Sequence, residues 1–236
     1  MILPPRRAGY FHGFPGAERR IAAIPNLRLV VLSNADKHAL EQSIGDVDID
    51  IHTLLPGMPP NSLSLPLEAS FKGKLVLDGT YNWWMKRRDL ERFLKDWKRR
   101  GTGEDLIVRG SPHGDVSGEL PAKPWSEAVS AQSVDVGLIT DRFVAGFKLK
   151  ALSYIAINCA VFSFCDIRSE FAGIPHADIF VRLIRDIPDL IEQRQKLAEI
   201  PRERLLDMFE MFRQGCIGRF NWSRSIESAL FSSRAR

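Results

Sequence analysis

The sequence predicts an α/β protein, a Rossmann-like parallel sheet flanked by helices, with a short remnant of a second domain ahead of it. Three observations carry that expectation. From residue 73 onward, short apolar runs alternate with amphipathic stretches of helical period, the pattern of strands joined by helical crossovers. Three of those runs have glycine at or near their ends, at Gly79, Gly110 and Gly137, where a strand must give way to a loop. A segment dense in proline, glycine and serine, "LPGMPPNSLSLPLEAS" at 55–70, separates this region from a smaller set of elements before it.

The elements follow in order. The first twenty or so residues, rich in Gly, Pro and Arg, read as irregular. "NLRLVVLSN" (26–34) is a strand, and "NADKHALEQSI" a short helix capped by Asn34 or Asp36. "DVDIDIHTL" alternates acids with Val and Ile, as a half-exposed strand does. Beyond the linker, "GKLVLDG" (73–79) is a strand, and "KRRDLERFLKDWKRR" (86–100) sets Leu90, Phe93, Leu94 and Trp97 on one helical face. "EDLIVRG" (104–110), "VDVGLI" and "CAVFSF" are further strands, with helices at "PWSEAVSAQS" and "GFKLKALSYIAIN". "HADIFVRL" is expected as a fifth strand of this region. The helix "IPDLIEQRQKLAEI", a helix from Pro201 to Gln214 and an amphipathic piece after Trp222 complete the chain. The domain reading is 1–65 for the remnant and linker, 66–219 for the sheet domain and 220–236 for a closing helix and tail.

Bulk properties exclude several classes. Lys and Arg number 33 against 29 acids in 236 residues, a net charge of +4, which suits a solvated surface and leaves a phosphate-bearing or anionic-membrane partner open. Nucleic acid is not an expected partner. Cys159, Cys165 and Cys216 lack CxxC spacing and read as reduced thiols, and the five histidines lack metal-binding spacing, so neither a metal nor a resident cofactor is expected. "MILPPRRAGYFHG" lacks the apolar core of a signal peptide, and the apolar region 154–164 is interrupted by Asn158 and too short for a bilayer. The expected location is cytoplasmic, with peripheral attachment at the inner membrane face as the alternative.

The stretch "VDVGLITDRFVAGFKLKALSY" (134–154) concentrates the chemistry. Gly146 stands before a helix expected to open near Phe147, where free amides and the positive end of the helix dipole suit a phosphate. Lys148 would add a mobile cation. Lys150, two positions on, would point about 200° around the helix and reads as solvated. Two lysines at a helix start oppose the dipole unless an anion is present, so loop and helix start are expected to form an anion site. Glycines 79, 110 and 137 admit either ligand approach or ordinary turn chemistry.

This stretch, continued through "IAINCAVFSF", resembles the carboxyl-terminal domain of GT-B fold glycosyltransferases related to glycosyltransferase family four. In those proteins an apolar strand and loop lead to glycine, lysine, x, lysine at a helix start. "LVVLSNADKHAL" is similar to the last strand and helix of their amino-terminal domain and "LLPGM" to the start of the linker. "KLVLDGTYNWW" is similar to the first strand and glycine turn of the nucleotide domain and "FNWSRSIESAL" to the closing helix. The resemblance spans residues 27–232. It implies transfer of a sugar from a nucleotide-sugar donor to a glycan or other hydroxyl acceptor, without a metal required by the fold. Gly79 and Thr80 would line the diphosphate side of the cleft, with Gly110 at the next strand end, and Lys148 with the backbone near Gly146 and Phe147 would meet phosphate oxygens. Asp141 and Arg142 are candidates for the donor sugar, or a surface ion pair.

Two positions depart from the pattern. Ser153 stands where many relatives place a carboxylate that grips the ribose, and a serine cannot act as a charged bidentate acceptor. Lys86 stands where relatives often have the asparagine of Trp-x-Pro-Asn. Too few residues precede Asn26 for a full acceptor domain, so the chain reads as truncated or dependent on a partner chain, or on self-association through the remnant. No catalytic base is identified. The alternatives are a nucleotide-sugar-binding module without turnover, or an interaction protein derived from such an enzyme.

Overall fold

Valine, leucine and isoleucine dominate the segments 75–77 and 134–139, as in strands buried on both faces, and these segments form the centre of a parallel sheet. The computed structural model describes residues 24, 28–44, 49–58, 74–79, 81, 83–100, 106–109, 134–143 and 146–231. The expected helix "PWSEAVSAQS", Trp125, Thr80 and Gly110 lie outside the described residues.

The first unit comprises strand β1 (Arg28–Val31), helix α1 (Asn34–Ile44) and strand β2 (Asp50–Thr53), with the strands parallel and Arg28 opposite Asp50. Its small core is Ile44 and Ile51, with Leu29, Val31, Leu40 and Ile49 against them. The main sheet contains β3 (Leu75–Asp78), β4 (Leu106–Arg109), β5 (Asp135–Ile139), β6 (Cys159–Ser163) and β7 (Val181–Leu183). Its order is β4-β3-β5-β6-β7, all parallel. The helices are α2 (Trp84–Arg100), α3 (Leu149–Ala156), α4 (Ala177–Phe180), α5 (Ile187–Ala198), α6 (Arg202–Arg219) and α7 (Trp222–Phe231). Every residue of β5 and β6 is buried, and α2 packs Leu90, Phe93, Leu94 and Trp97 into the same core. Among the described residues no helix is long and apolar enough to cross a membrane.

Two local expectations are corrected and two are refined. Helix α1 is capped by Ser33, whose Oγ accepts the Asp36 amide at 2.9 Å, rather than by Asn34 or Asp36. "HADIFVRL" supplies the expected fifth strand only at its end, as β7, and begins as the single turn α4, where Phe180 packs against Phe209 and Phe212 with ring centroids at 5.0 and 5.4 Å. Helix α6 does not end at Gln214. It runs through Gly215 because a Cβ there would lie 2.7 Å from Ile174 Cγ2, so the glycine serves close packing rather than termination. The start of the proline-rich segment is tied down: the Met58 amide donates to the Phe220 carbonyl at 2.9 Å, and Gly57 lies against the Trp222 ring.

The topology places a crevice. From β3 the chain moves outward to β4, returns past β3 to β5, and then continues the other way through β6 and β7. The order therefore reverses between β3 and β5. In doubly wound sheets, the carboxyl ends of the strands at such a reversal are where ligands bind.

Candidate functional site

The carboxyl ends of β3 and β5 are held together by one side chain. Tyr154, from α3, donates its hydroxyl to the Leu138 carbonyl and accepts the Asp78 amide, both at 2.9 Å. Its ring lies flat on Gly137, where a Cβ would come within 2.2 Å of ring carbon. Gly137 therefore admits Tyr154, which is turn-independent packing rather than ligand approach. Gly79, just past β3, has φ of 141° and lets the chain bend sharply away. Tyr81 then turns back into the core, 1% exposed.

The expected anion site at the start of α3 is already occupied from within. The helix begins at Leu149, not Phe147, and Lys148 is the residue before it, with non-helical φ and ψ of −84° and 82°. The Lys148 ammonium lies 3.0 Å from Asp141 Oδ2 and 4.6 Å from the Phe143 ring centroid, and both charged side chains are almost dry, at 9% and 5% exposure. The Gly146 amide, at φ of 65°, points at Asp36 Oδ1 at 3.4 Å. Phe147 packs on Phe220 and Phe171, at 5.4 and 6.3 Å between centroids. Lys148 and Gly146 are thus internal partners, and Asp141 is half of a buried pair rather than of a surface one.

The cation that reaches the crevice is Lys150. Its Nζ lies over the Tyr81 ring at 4.7 Å, 3.4 Å from the Tyr81 hydroxyl, and a Cβ on Gly79 would sit 2.7 Å from it. Among the described residues no carboxylate forms an ion pair with it. Burial lowers Lys150 from the ordinary lysine range to about 8; Asp141 opposes the shift, Lys86 adds to it, Asp78 opposes it and Lys148 adds to it. Burial, with Asp141 nearby, raises the Tyr81 phenol, so it stays protonated. The Thr140 hydroxyl, 2% exposed at the end of β5, finds no hydrogen-bond partner of acceptable geometry among the described residues, although it neighbours the Tyr81 hydroxyl. An under-satisfied ammonium beside two hydroxyls makes this a candidate site for an anion.

Sequence reasoning placed Lys150 in solvent because it assumed a helix that already includes Lys148. With Lys148 outside the helix, the 200° separation does not apply. The signal in the sequence is the apolar set Ala151, Leu152, Tyr154 and Ile155 around Lys150, whose burial turns that face of α3 toward the sheet.

The remaining candidates fall at the rim. Lys86 lies in the first turn of α2, near enough to Lys150 to repel it. Arg142 sends its guanidinium over the Phe164 ring at 4.9 Å while its amide donates to Asp89, so it does not pair with Asp141. The Ser153 hydroxyl donates back to the Leu149 carbonyl at 3.5 Å. Glu170, in the short 3-10 turn Arg168–Phe171 after β6, accepts the Asn34 and Ala35 amides at 3.1 Å each. The first unit is thereby fixed by the start of α1 beside the β5–α3 loop. Among the described residues, no three His, Cys, Asp or Glu side chains gather closely enough to hold a metal ion.

No family model and no protein of curated function matches the chain. Among solved structures it is similar to a chain of the "Crystal structure of GtfA/B complex", at 14% identity and a TM-score of 0.49, over 86% of this chain and 44% of that one. This chain therefore spans less than half the length of that neighbour.

Proposed function

We propose that the crevice binds the diphosphate of a nucleotide-sugar donor, and that the chain is the donor-binding part of a glycosyltransferase acting on an acceptor hydroxyl. The observation that carries this reading is Lys150, a half-buried ammonium without a carboxylate partner, set against Gly79 at the point where the strand order reverses. In sugar transfer the bond from the anomeric carbon to the diphosphate breaks, and negative charge grows on the departing oxygens. Lys150 compensates that charge, with the buried Tyr81 hydroxyl behind it positioning the ammonium. A preorganised, partly dry cation stabilises developing charge more than the same cation does in water. The first unit, latched through Glu170 and Asp36, stands beside the same strand ends and forms part of an opposing wall.

One observation favours a second reading, donor binding without turnover. Where the resemblance expects a ribose-gripping carboxylate, Ser153 spends its hydroxyl on its own helix. Calorimetric titration with uridine, guanosine and adenosine diphosphates tests the shared premise, comparing wild type with Lys150→Met. Removing a charge-assisted phosphate contact weakens binding by about 1–3 kcal/mol. Equal affinity of the two proteins sinks the reading. Release of nucleoside diphosphate from the matching sugar donor then separates an enzyme from a binding module.

A further inference from the structure

Two tryptophans at the start of α2 have no place in the core. Trp83 is 46% exposed and Trp84 60%, whereas the apolar face of the same helix is spent against the sheet. Leu149, which opens α3, is 61% exposed. Helices α2 and α3 each follow a strand of the parallel sheet, so their starts share the edge onto which the crevice opens. The two loops meet there, the Trp83 ring edge-on to Phe143 at 5.1 Å.

Cations surround these side chains. Lys86, Arg87 and Arg88 follow the tryptophans after Met85, and the first turn of α2 holds no acid. The Arg88 guanidinium lies 5.4 Å over the Trp84 ring. Arg87 pairs with Glu91 at 3.0 Å on the solvent side, a contact worth little there, and Arg88, itself exposed, lies 3.7 Å from the buried Asp89. Basic residues at a helix start oppose the dipole, a conflict that an external anionic surface removes.

We infer that this strand-end edge docks on an anionic lipid surface, with Trp83, Trp84 and Leu149 at the interface and Arg87 and Arg88 among the headgroups. Indole rings favour the boundary between hydrocarbon and headgroups, and long cationic side chains reach phosphates while their stems stay apolar. Exposed Trp and Arg also suit a protein interface, but a run of cations with no acid in the first turn of α2 is what an anionic lipid surface complements. The crevice then opens at the bilayer, which suits an acceptor hydroxyl carried on a lipid. That consequence rests on the donor reading; the docking does not.

Co-sedimentation of the full chain tests it, with vesicles of phosphatidylcholine alone and of phosphatidylcholine mixed with phosphatidylglycerol. The chain pellets with the mixed vesicles and not with the neutral ones. Binding falls at least about tenfold in Trp83→Ser/Trp84→Ser and in Arg87→Glu/Arg88→Glu, given the contribution of each basic residue near an anionic surface. Met211→Ser, which alters an exposed apolar residue of α6, binds as wild type. Brominated lipid quenches wild-type tryptophan fluorescence, and this readout decides the matter should a double variant fail to fold. Pelleting that ignores lipid charge, pelleting unchanged by both double variants, or absence of quenching overturns the inference. So does self-association lost in the tryptophan variant without vesicle binding, which assigns the patch to a second copy. Retained nucleoside diphosphate binding by the vesicle-deficient variants keeps failure here distinct from failure of the donor reading.

Discussion

Lysines 148 and 150 are two positions apart yet are predicted to affect stability in opposite directions when each is replaced by methionine. In Lys148→Met, Asp141 is left 5% exposed without the ammonium that now lies 3.0 Å away. Breaking a buried ion pair by removing one partner costs about 3–5 kcal/mol. Lys150 senses Asp141 and offsets part of the loss, so about 3 kcal/mol of destabilisation is expected, a large share of an ordinary domain's stability. In Lys150→Met a cation that burial disfavours is removed. The fall from 10.5 to about 8 is 10.5 − 8 = 2.5 units, which sets a ceiling of about 3 kcal/mol, discounted for partial exposure to a gain of about 1–2 kcal/mol at pH 7. Because the folded-state value lies below the unfolded one, the penalty is complete below about pH 8 and is relieved as pH rises toward 10.5. Urea unfolding at pH 7 and pH 10 reads both effects: Lys148→Met is less stable than wild type, and the advantage of Lys150→Met shrinks at the higher pH. Destabilisation of the same size in both variants, or an advantage that does not change with pH, refutes the assignment of the two side chains.

Three further outcomes are expected. Gly137→Ala drives a methyl into the Tyr154 ring and disturbs its two hydrogen bonds, lowering stability by about 3 kcal/mol from overpacking and lost bonds together, and Tyr154→Leu in the same chain restores part of it in thermal unfolding. Glu170→Gln keeps the shape but removes the charge and leaves one of the Asn34 and Ala35 amides facing an NH2 instead of an acceptor, costing about 1–3 kcal/mol, and hydrogen exchange at those amides speeds up while β5 is unchanged. The three thiols are buried, with Cys165 and Cys216 raised by that burial, so a thiol-reactive dye at pH 8 labels native protein only at the rate at which it opens.

The sheet was legible because its strands are nearly continuous apolar runs between glycines and polar breaks, and no other period competes at 75–78, 135–139 and 159–163. The four-residue core stripe of α2 was equally plain. Local sequence misled where packing overrides it. Gly215 looks like a helix stop but is the gap that lets α6 approach Ile174, and only Val181–Leu183 of "HADIFVRL" pairs as a strand, Ala177–Phe180 forming a turn ahead of it. The site was legible in place but not in its atoms. The region 134–154 holds the lysine proposed for the crevice, and which lysine that is depends on where α3 begins. That start is fixed by contacts distant in sequence: Asp36 on Gly146 and Phe147 on Phe220. No pattern within the segment reports those partners.

The most direct measurement is a carbon-13 titration of the Lys150 side chain, assigned with Lys150→Arg, with and without saturating nucleoside diphosphate. A midpoint near 8 in the free protein is expected, rising by about a unit or more once a phosphate shares the crevice. A free-protein midpoint in the ordinary lysine range, or one that does not move when the diphosphate is added, contradicts an anion site at Lys150.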